Sequence, residues 1–289
     1  MKVLIVGAGG QVGRALKATA PPKFDVTALT RDKLDITDAN AVARVMRSLA
    51  CDIIINAAAY TAVDRAEAEP ELAFKINCEA PEILARSAAA TGARFVHIST
   101  DFVFGGHQAV AYKPSDQATP LNKYGESKLA GERAIEQSLH DSLIVRTAWV
   151  YSVHGSNFVK TMLRLMAERD EVRVVADQIG TPTHAQSLAQ ALWKLIEART
   201  TGILHYTNAG AASWYDFAVA IQEDAAEIGL LKRVVPILPI NSEEFPTPAK
   251  RPAFSLLDKS DTYRLIGIAP HWREELRRML QNLKEKGNG

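Results

Sequence analysis

The chain has 289 residues, 47% hydrophobic and 23% charged, which is apolar mass enough for one large domain or two ordinary ones. Its 34 Lys and Arg against 33 Asp and Glu leave a formal charge of +1, which excludes an overall field for holding nucleic acid or an anionic membrane. Two cysteines, Cys51 and Cys78, without ligand spacing, exclude a disulfide framework or zinc site, so no metal is expected and a reducing cytoplasm fits.

The opening MKVLIVGAGG lacks a basic stretch followed by a long apolar core and cleavage site, and no apolar run approaches the roughly 18 residues of a membrane span. The reading is of an unprocessed, soluble protein. From there KVLIV, FDVTAL, DIIIN, RFVHIST and SLIVRT alternate with helical stretches rich in Ala, Glu, Arg and Leu. Apolar runs of this length need cover on both faces, so the rhythm predicts a doubly wound, Rossmann-type α/β parallel sheet over residues 1–150. Residues 151–289 predict mainly a smaller C-terminal α/β lobe for substrate, ending near the Pro-rich VVPILPINSEEFPTPAKRP. Within it VRVVAD and GILHYT are strand-like, and parts of 171–208 are expected to complete the first sheet.

Right-handed crossovers put every strand's carboxyl end on one edge, and the chemistry-bearing residues gather there. Gly7, Gly10 and Gly13, with Gln11 and Val12 between the last two, follow the first strand in GxxGxxG spacing. Glycine permits a tight turn and close approach to a diphosphate, and the helix that follows offers free N–H groups to the anion. The adenosine end is expected at Thr30 and Arg31, after the second strand, where a basic side chain favours the 2′-phosphate of NADPH over NADH. Asp35 and Ile36 are expected to flank the adenine. Ala57, Ala58 and Ala59, where the third strand meets its loop, leave room for a cofactor against the backbone.

Tyr124 and Lys128 lie four apart on a predicted helix and so share a face. A nearby ammonium favours a phenolate and is expected to draw the phenol's pKa down towards neutrality. Ser99 and Thr100, at the end of the fourth predicted strand, are placed to hold a carbonyl against that phenol.

GAGGQVG, NAAA, STD and YGESK, in this order, resemble the extended short-chain dehydrogenase/reductase family. The longer stretches NAAAYTAVDRAEAEPELAFKIN, STDFVFGG, PLNKYGESKLAGE, RTAWVY, DQIGTPT and PTPAKRP resemble its members that reduce the C4 ketone of a dTDP-sugar with NADPH or NADH. The resemblance implies Thr100, Tyr124 and Lys128 as the catalytic set, and Asn77 near the nicotinamide. It also implies Asp101, Phe102, Val103 and Trp149 at the sugar, and makes Arg251 a candidate for the diphosphate. Some members dimerise around magnesium held by glutamates; Ala15 and Gln186 stand at those positions, so a monomer or homodimer without that metal is expected. Two other readings share these motifs: an epimerase or dehydratase keeping NAD bound, and a non-catalytic NADP-binding regulatory subunit.

Overall fold

The computed structural model describes residues 1–287. Strands β1 (Lys2–Val6), β2 (Asp25–Leu29), β3 (Ile53–Asn56), β4 (Arg94–Thr100) and β5 (Leu143–Thr147) lie in one sheet. The chain then makes β6 (Val150–Tyr151), β7 (Val172–Val175), β8 (Ile179–Gly180) and β9 (Thr183–His184) outside it, and returns with β10 (Gly202–His205). β11 (Ala212–Ser213) and β12 (Ile237–Ile240) follow, again outside.

The six strands run in the order β2, β1, β3, β4, β5, β10, all parallel. Their composition explains why. Along β1, Val3 and Ile5 enter one core and Leu4 and Val6 the other, so alternate side chains of an apolar run bury on opposite faces. Helices α1 (Gln11–Ala18), α2 (Ala39–Leu49), α3 (Val63–Ala68), α4 (Pro70–Phe74), α5 (Ala80–Thr91), α6 (Lys123–Ser138) and α8 (Ala185–Glu197) belong to the sheet's part of the molecule, and α7 (Phe158–Glu168) lies outside it. One face packs on α1 and α8 through Leu16, Leu188 and Trp193; the other packs on α2 and α5 through Val42, Met46 and Leu84. A π-helical turn, Lys75–Glu79, joins α4 to α5.

Of the two strand-like runs beyond residue 150, Gly202–His205 enters the sheet beside β5, whereas Val172–Val175 pairs with β12. The sheet's body thus reclaims α8 and β10 from the second half of the sequence. The remaining lobe is built on α7, α9 (Trp214–Glu227) and α11 (Trp272–Gly287), around Val159, Met166, Phe217, Ile221 and Leu276; α10 (Ser260–Ile266) packs back on α8 and β10. Ser213 and Asp216 form a reciprocal cap on α9. No helix of the described residues is long and apolar enough to cross a membrane.

Strand order reverses between β1 and β3, which opens a crevice outside their carboxyl ends.

Candidate active site

The glycine turn sits at that crevice. Gly7 has φ +77°, and a Cβ there would fall 2.4 Å from the Ala58 backbone nitrogen, so the cradle exists only because the side chain is missing. A cleft of about 380 Å³ opens from it, lined by Gly7, Gly10, Arg31, Asp35, Ile36 and Ala57 to Ala59. Leu72, Lys75 and Ile76 close it from α4 and the π turn. These three were not anticipated; the signal available was the helical run ELAFKIN returning just after the alanine loop.

Gln11, Val12, Gly13 and Thr30, also expected at the cofactor, are not part of that lining. Gly13 is buried where α1 leaves the turn, and Val12 packs partly buried on the sheet core. The Thr30 hydroxyl hydrogen-bonds Asp32. Asp35 accepts from the backbone N–H and hydroxyl of Thr37, and those two bonds hold its carboxyl below the ordinary range, with Arg31 and Lys75 adding to the effect. Gln11 turns away from the cleft: its Oε1 accepts from Ser152 and Asn157, at 3.1 and 3.0 Å, and so fastens the start of α1 to the lobe.

Asn77 is engaged within the protein. Fully buried, its Oδ1 accepts from the Tyr60 N–H (2.8 Å), and its Nδ2 donates to the Tyr60 carbonyl and to Ser127, both at 3.0 Å. With both amide hydrogens engaged, it holds the alanine loop against α6.

Thr100 ends β4, and its Oγ1 caps the following 3₁₀ turn, Asp101–Val103, by accepting from the Phe102 N–H (3.2 Å). α6 begins at Asn122, whose side chain caps Gly125 and donates to the Lys250 carbonyl. A Cβ on Gly125 would come within 2.2 Å of the Phe102 carbonyl, so glycine lets the helix lie directly on that turn. The Tyr124 phenol thereby comes near the Thr100 hydroxyl, its ring packed edge-on against Phe102 at 5.5 Å.

One expectation is overturned here. Burial raises the Tyr124 phenol to about 12, and the Thr100 bond offsets this only in part. Lys128 does not draw it down, because its nitrogen lies 2.8 Å from the Ile98 carbonyl and 3.0 Å from His97 Nε2. Burial lowers Lys128 itself to about 8, against the upward pull of Glu132.

Three buried oxygens, Ser99 Oγ, Asp101 Oδ2 and Thr147 Oγ1, have no hydrogen-bond partner among the described residues, and all lie at the carboxyl ends of β4 and β5. Unmet polar atoms on this edge fit a polar ligand. Burial raises the Asp101 carboxyl from 3.8 to about 6, although its hydrogen bonds oppose the rise. A raised acid stabilises the fold while protonated, so that contribution is full below about pH 4 and is lost as pH climbs through about 6. Asp101→Asn is expected to gain up to about 3 kcal/mol near pH 8 and little near pH 4, measured by urea unfolding. Equal gains at both pH values would clear the carboxyl of this cost.

Phe102 and Val103 complete the turn, Val103 fully buried. Trp149, between β5 and β6, has φ 47°, in the left-handed region that bulky residues rarely adopt, and stacks on Trp214 with ring centres 3.5 Å apart. Arg251 is already engaged: it grips Asp64 of α3 bidentately, at 3.0 and 2.8 Å, and also bonds Thr247 and the Ala249 carbonyl. These bonds tie the C-terminal loop to α3. Ala15 and Gln186 face a second cleft, of about 370 Å³, on the other side of α1.

A glycine cradle at a strand-order reversal, with a threonine and a tyrosine meeting one strand further along the same edge, places the molecule among the extended short-chain dehydrogenases/reductases. More narrowly, the chain belongs to the family described as the RmlD substrate binding domain, whose model matches residues 1–285. It is 41% identical over 295 residues to the dTDP-4-dehydrorhamnose reductase of Sinorhizobium fredii, covering 99% of both chains. A crystal structure of such a reductase from Clostridium acetobutylicum aligns with TM-score 0.93 at 40% identity, over 98% of this chain and 100% of that one. The Bacillus anthracis reductase, solved in complex with NADP, aligns with TM-score 0.91 at 39% identity, over 97% and 99%.

Proposed function

We propose that the chain reduces the C4 ketone of dTDP-4-dehydro-β-L-rhamnose to the hydroxyl of dTDP-β-L-rhamnose, with NADPH preferred to NADH. The arrangement that carries the chemistry is Thr100 at the carboxyl end of β4 with the Tyr124 phenol near it, on the sheet edge that also bears the glycine turn. Support for the sugar nucleotide comes from likeness along nearly the whole chain to reductases of that name.

The Gly7 turn and the first N–H groups of α1 would hold the diphosphate, with Ala57 and Ala58 leaving it room. Arg31 and Lys75, two cations at the same end of the cleft, would receive a 2′-phosphate. When bound, the reduced nicotinamide supplies a hydride to the ketone carbon. Thr100 and Tyr124 hydrogen-bond the ketone oxygen, and Tyr124 gives up its proton as negative charge grows there. A phenol near 12 is wholly protonated at neutral pH, which is the form an acid in the reducing direction needs. Asp101 and Trp149 are the proposed sugar contacts on the lobe side, with Phe102 and Val103 shaping the turn.

The test follows reduced-cofactor absorbance with the 4-keto sugar nucleotide made in situ. NADPH oxidation exceeding NADH oxidation is expected. Purified protein carrying stoichiometric NAD, with no net consumption, would instead make it an epimerase or dehydratase, and dinucleotide binding without reduction of any nucleotide sugar would make it a regulatory subunit.

A further inference from the structure

The chain turns a corner at Trp149, and the elements on either side impose it. Behind, Thr147 is held in the sheet in register with Thr100; ahead, Val150 and Tyr151 pair with β9, and the Trp149 carbonyl accepts from the Thr183 N–H at 3.1 Å. With both ladders fixed, the left-handed φ of 47° is forced on a residue whose bulk opposes it, and the direction of its Cα–Cβ bond is set.

What the backbone leaves open is the rotation of the indole about that bond. Two walls decide it, and both belong to one unit of the lobe. Gly180 of β8 lies so close that a Cβ there would fall 2.6 Å from the indole Cε2, so the ring fits only because that side chain is missing. β8 pairs antiparallel with β11, Gly180 opposite Ala212, and two residues further on Trp214 opens α9 and stacks on the Trp149 ring.

Trp214 has anchors of its own. The reciprocal cap of Ser213 and Asp216 fixes the helical turn it starts, and its ring leans on Phe158 of α7, with centres 4.6 Å apart, and on Phe217. Phe217 is fully buried in the lobe core, whereas both tryptophans are only partly buried against it.

We propose that Trp214 is a positioning residue for the sugar: acting through Trp149, it fixes the plane of the indole on which the pyranose settles at the carboxyl end of β5. The inference deepens the reductase reading and rests on it for the sugar. An indole free to choose its rotamer would have to be immobilised each time substrate bound, at the expense of affinity, and a ring already clamped avoids that loss. Hydride and proton transfer run on the cofactor, Thr100 and Tyr124, so the effect falls on the Michaelis constant for the sugar nucleotide more than on kcat.

Trp214→Leu keeps an apolar group at the helix start and removes the flat ring. It is expected to raise that Michaelis constant about tenfold, the size of one lost aromatic contact, with kcat within about threefold of normal. Trp214→Phe, which keeps a ring, should recover most of the loss. Made in Trp149→Ala, Trp214→Leu should add less than about twofold, because the ring it positions is gone. Equal losses in the two backgrounds would give Trp214 a role of its own and overturn the inference, and so would an unchanged Michaelis constant. Nitrogen NMR of tryptophan-labelled protein, without substrate, reads the geometry alone. The Trp149 indole N–H signal, assigned through Trp149→Phe, feels the ring current of its stacked neighbour and should move in Trp214→Leu; a signal that stays in place overturns the inference too. Should Trp214→Leu not fold, Gly180→Ala presses on the same indole and should raise the Michaelis constant likewise, and an unmoved constant there is equally fatal. A protein that reduces no 4-keto sugar nucleotide refutes the reductase reading, whereas the indole signal still decides whether Trp214 fixes Trp149.

Discussion

Tyr124→Phe is expected to lower turnover about a thousandfold and to leave dinucleotide binding close to that of the unaltered chain, because general acids of this kind contribute roughly 10² to 10⁴. The ring is anchored independently of its hydroxyl: it packs with Ala66, Ala73 and Phe102, and phenylalanine keeps all of that. The cradle at Gly7 is built from β1, α1 and the alanine loop, none of which the phenol supports. The loss should therefore fall on kcat, with the Michaelis constant for the reduced cofactor little changed. Steady-state rates against titration of the dinucleotide distinguish the two effects. Turnover within about tenfold of normal would take the phenol out of the proton transfer.

The largest expected effect on stability comes from the same helix. Glu132 and Arg146 are a buried pair joining α6 to β5, bidentate at 2.9 and 2.6 Å, and the guanidinium also bonds the Pro114 carbonyl and lies over the Phe104 ring. Side-chain exposures of 1% and 4% leave neither charge within reach of water. Glu132→Ala strands the guanidinium in a dry interior and is expected to cost about 3–5 kcal/mol, lowering the thermal midpoint by on the order of 10 °C. Replacing both partners, Glu132→Leu with Arg146→Met, removes the orphaned charge and should recover most of that loss. A single variant within about 1 kcal/mol of the original chain, by denaturant unfolding, would show that solvent reaches the pair.

The frame was legible because its causes are local. VLIV and the III of IIIN carry no polar residue that would tolerate water, so a strand covered on both faces is the arrangement that suits them, and Gly7 announces its turn by following one of them. Tyr124 and Lys128 could be set on one helical face from spacing alone. Their electrostatics could not: the sequence argument counted a cation and left out burial, and burial dominates both groups. Arg251 looked free because its partner Asp64 lies 187 residues away, brought to it only by the path of the C-terminal loop. Asn77 looked available for the same reason, its partners being set by how the alanine loop and α6 meet. His97 stood in a predicted strand with nothing to mark it; register sets Asn56 directly beside it, and the helix above brings Lys128 to its other nitrogen.

Trp149 leaves the end of β5, and Trp214 opens α9 of the lobe, with their planes only 7° from parallel. Indoles this close couple their electronic transitions, and the resulting exciton couplet in circular dichroism depends on their separation and mutual angle. The molecule therefore carries an unlabelled optical gauge across the seam between sheet and lobe, one that reports any change in how the two indoles lie.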